Sequence, residues 1–404
     1  MPDLQIIHTG DSHIDTVTHG GVNPATGLDR ALEANLAAVA SGVAHALEHQ
    51  VAAYVHCGDA FTHGRPSMES VLLLAETLLP LVNEGIALVL IDGNHERLRV
   101  PTNQRTATSV LAALLAPHGE VHVVEREPSL VTTSTGVQVA GLPWLSKATV
   151  LTELGKTDVD PVAGDRIVVS ESLRWLDEMC ASADGSMPLI LASHVTVDDV
   201  KIDSLATGAR RGSELDITHV FAEPILPRAA LEDSPVAYAA LSHIHARQHL
   251  GGKCYYSGSP NRLTLTDADD PKSVNLVTLG PGNTLVSVEH LATDARAMHS
   301  IDLAAKDAGA RLASLNLGAL VGLRLPAGQT QVPGDVLEAL TSAGARLVDT
   351  KIAPAEVTQS ETVVVAERTD PVTALSTWLS THRPDTDAAK VTQLAGELVE
   401  AVSA

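Results

Sequence analysis

Short apolar runs recur along the first part of the chain, and each stops just before a cluster containing Asp, His or Asn. Residues 4–8 (LQIIH) lead into Asp11-Ser12-His13, and residues 51–56 (VAAYVH) into Gly58-Asp59. Residues 86–91 (IALVLI) lead into Gly93-Asn94-His95-Glu96, residues 189–192 into Ser193-His194, and residues 237–241 into Ser242-His243-Ile244-His245. Apolar runs this short suit buried strands. Between them, residues 28–50 and 67–83 carry longer Ala- and Leu-rich patterns that suit helices. Strands alternating with helices predict a layered α/β core around a largely buried sheet. In such folds ligands bind beyond the carboxyl ends of the strands, so the chain delivers its polar clusters to the place where a site forms.

The residue types name the chemistry. Taken singly, a His after a strand is an ordinary loop residue, and a Gly-Asp or Gly-Asn pair is an ordinary turn. Taken together they supply carboxylate, imidazole and amide donors and no thiolate. Two divalent ions about 3.5–4 Å apart can clamp a phosphoryl group and activate a water between them. Such a pair needs a bridging carboxylate, for which Asp59 is the candidate. It also needs oxygen and imidazole ligands, here Asp11, His13, Asn94, His194, His243 and His245. Mixed O/N ligation favours Mn2+ (with Fe2+ or Mg2+ as alternatives) over a structural zinc.

The ordered set D-x-H, G-D, G-N-H-E, H, H-x-H resembles the calcineurin-like metallophosphoesterase superfamily. Within it, residues 238–248 (YAALSHIHARQ), 256–263 (YSGSPNRL) and 141–144 (GLPW) are similar to the SbcD family, the nuclease subunit of the SbcCD double-strand-break repair complex. The resemblance runs through about residues 3–265. It implies an α/β/β/α sandwich, with metal one on Asp11, His13, Asp59 and His245 and metal two on Asp59, Asn94, His194 and His243. It implies a catalytic His95 that touches the scissile phosphate without binding metal. It also implies cleavage of DNA, a homodimer, and an SbcC-like coiled-coil ATPase as partner. One departure is Ser242, where the family usually has Gly.

Beyond residue 280 the pattern changes. Residues 319–325, 335–344 and 345–353 read strand, helix, strand, and residues 372–380 and 387–403 read as amphipathic helices. The expected division is 1–281 for the metallophosphoesterase domain, 282–357 for a small α/β capping domain, and 358–404 for a helical segment that docks on a partner. The net charge of -22 and an aromatic content of 2% stand against a broad basic or base-stacking nucleic-acid surface. A partner with its own DNA-binding face resolves this, as do local arginines beside the motifs: Arg97, Arg99, Arg105, Arg210, Arg211, Arg247 and Arg262. A stand-alone enzyme acting on nucleotides or small phosphodiesters is the alternative. Trp144 and Trp175 read as core residues. Three widely spaced cysteines, no leader-like N-terminus and no long apolar run suggest a cytoplasmic protein without a membrane span.

Overall fold

The computed structural model describes residues 3–16, 19–96, 105–200, 224–353, 371–382 and 387–403. Its strands are β1 (Leu4–Thr9), β2 (Ala53–His56), β3 (Ala87–Ile91), β4 (Val121–Val124), β5 (Ser129–Thr132), β6 (Gln138–Leu142), β7 (Leu189–His194), β8 (Thr196–Val197), β9 (Ile225–Leu226), β10 (Tyr238–Ser242), β11 (Gln248–Gly251), β12 (Cys254–Tyr256), β13 (Ser273–Gly280), β14 (Thr284–Ala292), β15 (Met298–Asp302), β16 (Leu320–Leu325) and β17 (Arg346–Ile352). Its helices are α1 (Arg30–Glu48), α2 (Met68–Asn83), α3 (Ala107–Leu115), α4 (Lys147–Glu153), α5 (Pro161–Ser182), α6 (Arg228–Asp233), α7 (Ala308–Ala313), α8 (Gly334–Ala343), α9 (Pro371–His382) and α10 (Ala388–Ser403). The helices begin where the sequence supplies caps: Asp29 accepts from the Ala31 amide, Ser67 from Ser70, and Asp160 from Val162 and Ala163.

Two six-stranded sheets, ordered β14-β13-β1-β2-β3-β4 and β11-β12-β10-β7-β6-β5, form the centre. Because side chains alternate across a strand, one run of apolar residues feeds two layers. In β3, Ala87, Val89 and Ile91 meet Val139, Ile190 and Ala240 from the other sheet, while Leu88 and Leu90 pack under α1, α2 and α3. In β7, Ile190 and Ala192 face the first sheet, while Leu189 and Leu191 face Leu176 and Met179 of α5. The result is the four-layer α/β/β/α arrangement. With few aromatics available, Val, Leu, Ile and Ala fill it, and Tyr54, Tyr238, Tyr256 and Phe61 are the largest fully buried side chains.

The central strands β1, β2 and β3 are parallel, as are β6, β7 and β10, so their carboxyl ends gather at one edge of the sandwich. β14 pairs antiparallel with β13 over almost its full length, so the strand after residue 281 belongs to the first sheet and extends it to Ala292. A separate three-stranded sheet, β15-β16-β17, has its own core of Ile301, Val321, Leu323, Val336 and Leu340. This sheet joins the sandwich in one compact unit, and the helices α9 and α10 fall in a second. No described helix is long and apolar enough to cross a membrane.

Candidate metal centre

The five polar clusters predicted from sequence meet at that common edge. Asp11, His13 and His245 bring ligand atoms within 4.8 Å of one another, as do Asp11, Asp59 and His194, and as do His13, Asp59 and His95. Asn94 Oδ1 lies 3.0 Å and His243 Nδ1 3.2 Å from His194 Nε2. Every expected ligand and His95 is therefore in the cluster. Asp11, Asp59, His194 and His243 are fully buried, and His13 and His245 nearly so. Asn94 and His95 are half-buried, with the His95 side chain 20% exposed.

Backbone geometry explains how short loops bring these groups so close. Asp11, His13, Asp59 and His243 have φ of 52°, 41°, 54° and 99°, values that side-chain-bearing residues rarely adopt. The first two loops are stitched together by the amides of Asp11, His13 and Ile14 donating to the carbonyls of Gly58, Asp59 and Ala60 at 2.9–3.0 Å. Gly58 has φ of 99°, and a Cβ there would stand 2.4 Å from His194 Nδ1. Glu96 carries the third loop: its buried carboxylate accepts from the amides of Asp59 and Gly93 at Oε2 and of Phe61 at Oε1. Burial, with Asp59 nearby, pushes this carboxyl up to about 7.

The donor set fits a cation. His194 donates Nδ1–H to the Cys57 carbonyl at 2.8 Å, so in the neutral ring Nε2 carries a lone pair. That nitrogen faces Asn94 Oδ1 at 3.0 Å, His243 Nδ1 at 3.2 Å and Asp59 Oδ2 at 3.4 Å. Asp59 Oδ2 is buried and accepts no hydrogen bond among the described residues. Electron-rich atoms packed this closely repel unless a proton or a cation lies among them. Without metal a proton serves: burial works to lower the His194 pKa, but Asp59 and Asp11 override it and lift it to about 10. Burial works to raise the Asp59 carboxyl, but the imidazoles of His194, His13 and His95 hold it well below the ordinary carboxylate range. A divalent cation would satisfy all of these ligands at once.

Several groups escaped the sequence reading. His56, given no role there, lies beneath the first loop, with Nε2 2.8 Å from Ser12 Oγ, and burial pulls it down to about 4. Asn35 supports His13 from α1, and its one sequence signal was a polar residue inside an apolar helical stripe. Ser242 uses its hydroxyl: Oγ donates to Asp11 Oδ2 at 2.7 Å, beside the His243 amide. Arg262 is not a basic finger for a ligand, because its guanidinium donates to the carbonyls of Ala268, Arg296 and Asp270. Arg247 is half-buried and donates to Ser273 Oγ. Arg105 is exposed just before α3. Arg97, Arg99, Arg210 and Arg211 lie outside the described residues. Trp144 and Trp175, expected in the core, are both only half-buried; Trp144 lines a small cleft with Leu142, Val195 and His194.

The chain is 26% identical over 297 residues to the SbcD subunit of nuclease SbcCD from Escherichia coli K12, covering 71% of this chain and 68% of that protein. It is 26% identical over 285 residues to the SbcD subunit from Bacillus subtilis, covering 69% and 67%. Among solved structures, it is similar to a dimetal phosphatase from Danio rerio at 12% identity and a TM-score of 0.39, covering 72% of this chain and 100% of that one. The family model for calcineurin-like phosphoesterase matches residues 4–247, which span all five metal-loop clusters, and the chain belongs to that family of metal-dependent phosphoesterases.

Proposed function

We propose that this chain is the nuclease subunit of an SbcCD-like complex, hydrolysing phosphodiester bonds of DNA in repair or recombination with two divalent ions, most readily Mn2+. The observation that carries the reading is a complete ligand set around Asp59 with a partly exposed imidazole, His95, at its rim. Likeness to SbcD subunits over about 70% of the chain supports the choice of DNA over other phosphoesters. Asp11, His13, Asp59 and His245 would hold metal one, and Asp59, Asn94, His194 and His243 metal two. When bound, the two ions supply charge neutralisation at the phosphate and activation of the attacking water.

The chain's own contribution centres on His95. Its Nδ1–H is donated to the Thr62 carbonyl at 2.8 Å, which fixes the ring and turns Nε2 toward the cluster, 3.8 Å from Asp59 Oδ2. The His95 amide is held by Asp59 Oδ1 at 3.0 Å. From that position Nε2 would contact a phosphate oxygen and either stabilise its charge or assist the leaving oxygen. The β15-β16-β17 unit, rather than the whole of 282–357, would cap the site, and 358–404 would dock on an SbcC-like coiled-coil ATPase that supplies the basic DNA surface this chain's charge of -22 withholds. A cytoplasmic homodimer is the working assembly.

The test is cleavage of labelled double- and single-stranded DNA in Mn2+, beside a small chromogenic phosphodiester, for wild type and His95→Ala. Manganese-dependent DNA cleavage that falls by about 100-fold or more in the variant supports both the substrate and the role of His95. Activity on the small diester alone, unchanged by an added SbcC-like ATPase, would replace this reading with a stand-alone phosphoesterase, which the acidic charge favours.

A further inference from the structure

The 256–263 segment (YSGSPNRL) has no part in the chemistry above, yet its Ser259 amide donates to the His245 carbonyl of one metal loop, and Asn261 reaches His13 of another through Asn35. We propose that this segment is a positioning frame for metal one, fixing His13 and His245 through their backbone carbonyls. The inference rests on the metal assignment made above.

Two branches of buried hydrogen bonds meet at Asn261. In the first, Asn35 Nδ2 donates to the His13 carbonyl at 2.8 Å, and Asn35 Oδ1 accepts from Asn261 Nδ2 at 2.5 Å. A carbonyl only accepts, so Asn35 must turn its NH2 to His13, and its oxygen is left for Asn261. Asn261 Oδ1 then accepts from the amides of Arg262 and Arg296, both at 2.9 Å. In the second branch, Lys272 Nζ donates to the His245 carbonyl at 3.0 Å and to Ser259 Oγ at 2.8 Å. The Ser259 amide donates to the same His245 carbonyl at 3.1 Å, and Ser259 Oγ donates to the Asn261 carbonyl at 2.8 Å.

All four supporting side chains are nine-tenths or more buried: Asn35 0%, Ser259 0%, Asn261 1% and Lys272 6% exposed. Asp270 and Asp267, at 3.7 and 4.0 Å, balance the lysine charge. Gly258 lets the segment approach: its φ is +70°, and a Cβ there would stand 2.7 Å from the Arg247 amide nitrogen and 2.8 Å from the His245 carbonyl. His194, a metal-two ligand, is held separately by the Cys57 carbonyl. Both branches therefore end on ligands of metal one, His13 and His245. Arg296 ties it onward, donating to the carbonyls of Arg262 and Leu263 just before β15.

The test uses the full chain and Mn2+ alone, titrated by calorimetry and followed by electron paramagnetic resonance, which separates spin-coupled pairs from single ions. The key variant is Asn261→Asp. It keeps the acceptor for Arg262 and Arg296 but removes the donor, so the Asn35 amide can no longer satisfy both the carboxylate and the His13 carbonyl. Wild type should bind two ions. Asn261→Asp should keep one at native affinity and bind the other about 10–100-fold more weakly, with the coupled signal giving way to a single-ion signal, as in His13→Ala. Leu111→Ala, a distant core variant, should lose stability and keep both ions. Should Asn261→Asp not fold, Asn35→Ala cuts the same branch from the other side. Unchanged binding of both ions, or equal weakening of both, would overturn the frame. Fewer than two ions on wild type would instead overturn the metal centre itself.

Discussion

Ser242 and Gly10 make a pair whose coupling is calculable. An ideal Cβ on Gly10 would lie 2.1 Å from Ser242 Oγ and 2.8 Å from Ser242 Cβ. Gly10 has no left-handed φ, so alanine is allowed there by backbone and is opposed only by this neighbour. In Gly10→Ala the serine must rotate, and its hydroxyl leaves Asp11 Oδ2, now 2.7 Å away. Losing a hydrogen bond to a buried carboxylate costs about 1.5–3 kcal/mol, and overpacking adds about 1–3 kcal/mol. The sum is about 4 kcal/mol. Ser242→Gly alone gives up the same hydrogen bond and adds chain entropy, for about 2–3 kcal/mol.

If the two residues were independent, the double variant would lose about 6–7 kcal/mol. Because Ser242→Gly removes both clashing atoms, Gly10→Ala/Ser242→Gly should lose only about 2–3 kcal/mol, no more than Ser242→Gly alone. Ser242→Ala should rescue Gly10→Ala only in part, since its Cβ still stands in the way. Urea denaturation of the four proteins with metal removed reads these differences directly. Additive losses would refute the argument that the hydroxyl at 242 fits the first metal loop because residue 10 has no side chain.

Glu96→Gln should destabilise the metal-free protein by about 2–4 kcal/mol at pH 8, because the new NH2 group must face a loop amide where a carboxylate oxygen accepted one. Since burial raises Glu96 to about 7 in the folded protein, the wild type is stabilised by protonation as pH falls from 7 toward the ordinary carboxyl value of 4.5, while glutamine does not titrate, so the gap between the two proteins should widen in urea melts at pH 5. A gap constant from pH 5 to 8 would count against it. His194 gives a pH signature of the same sign in a higher window. Its folded pKa is raised from 6.5 to about 10, so its contribution is fully present below pH 6.5 and is lost as pH rises through about 10. The metal-free protein should therefore weaken between those limits, and Mn2+ binding at pH 7.5 should release about one proton, measured by calorimetry in buffers of different ionisation enthalpy. Binding without proton release would show that His194 is already neutral.

The strands and helices that build the site were legible because each is a strong local pattern. Residues 28–50 and 67–83 were expected as helices and run as Arg30–Glu48 and Met68–Asn83, trimmed to their Asp29 and Ser67 caps. The buried strands β1, β2, β3, β7 and β10 and the helix–strand pair α8–β17 fall within two or three residues of expectation. The edge strands β5 and β11, short and partly exposed, give a weak apolar signal and were not read. The eight site residues were legible for another reason: each lies at or just beyond the carboxyl end of a strand, and parallel strands share a carboxyl edge. What supports them was not. Asn35 and Asn261 are 226 residues apart, and nothing local in either segment marks the other as its partner. Lys272, between Pro271 and Ser273, reads as an ordinary surface lysine, and only the fold buries it.

The places where local rules break coincide with the ligands. Asp11, His13, Asp59 and His243 hold left-handed backbone without being glycine, at a cost of about 1–3 kcal/mol each, and the buried atoms around His194 Nε2 repel one another. A chain selected for stability alone would remove both. They persist because the surroundings over-determine them: Glu96 grips three loop amides, the first and second loops share three backbone hydrogen bonds, and Asn261 links, through Asn35 and Ser259, to the carbonyls of His13 and His245. A bound cation removes the repulsion but leaves the backbone strain. The loops are thus strained before metal arrives, and they keep that geometry rather than relaxing to a form that would have to be reorganised at each binding event. This is what pre-organisation would require of a centre that, as proposed, holds two ions a fixed distance apart while a phosphate enters and leaves.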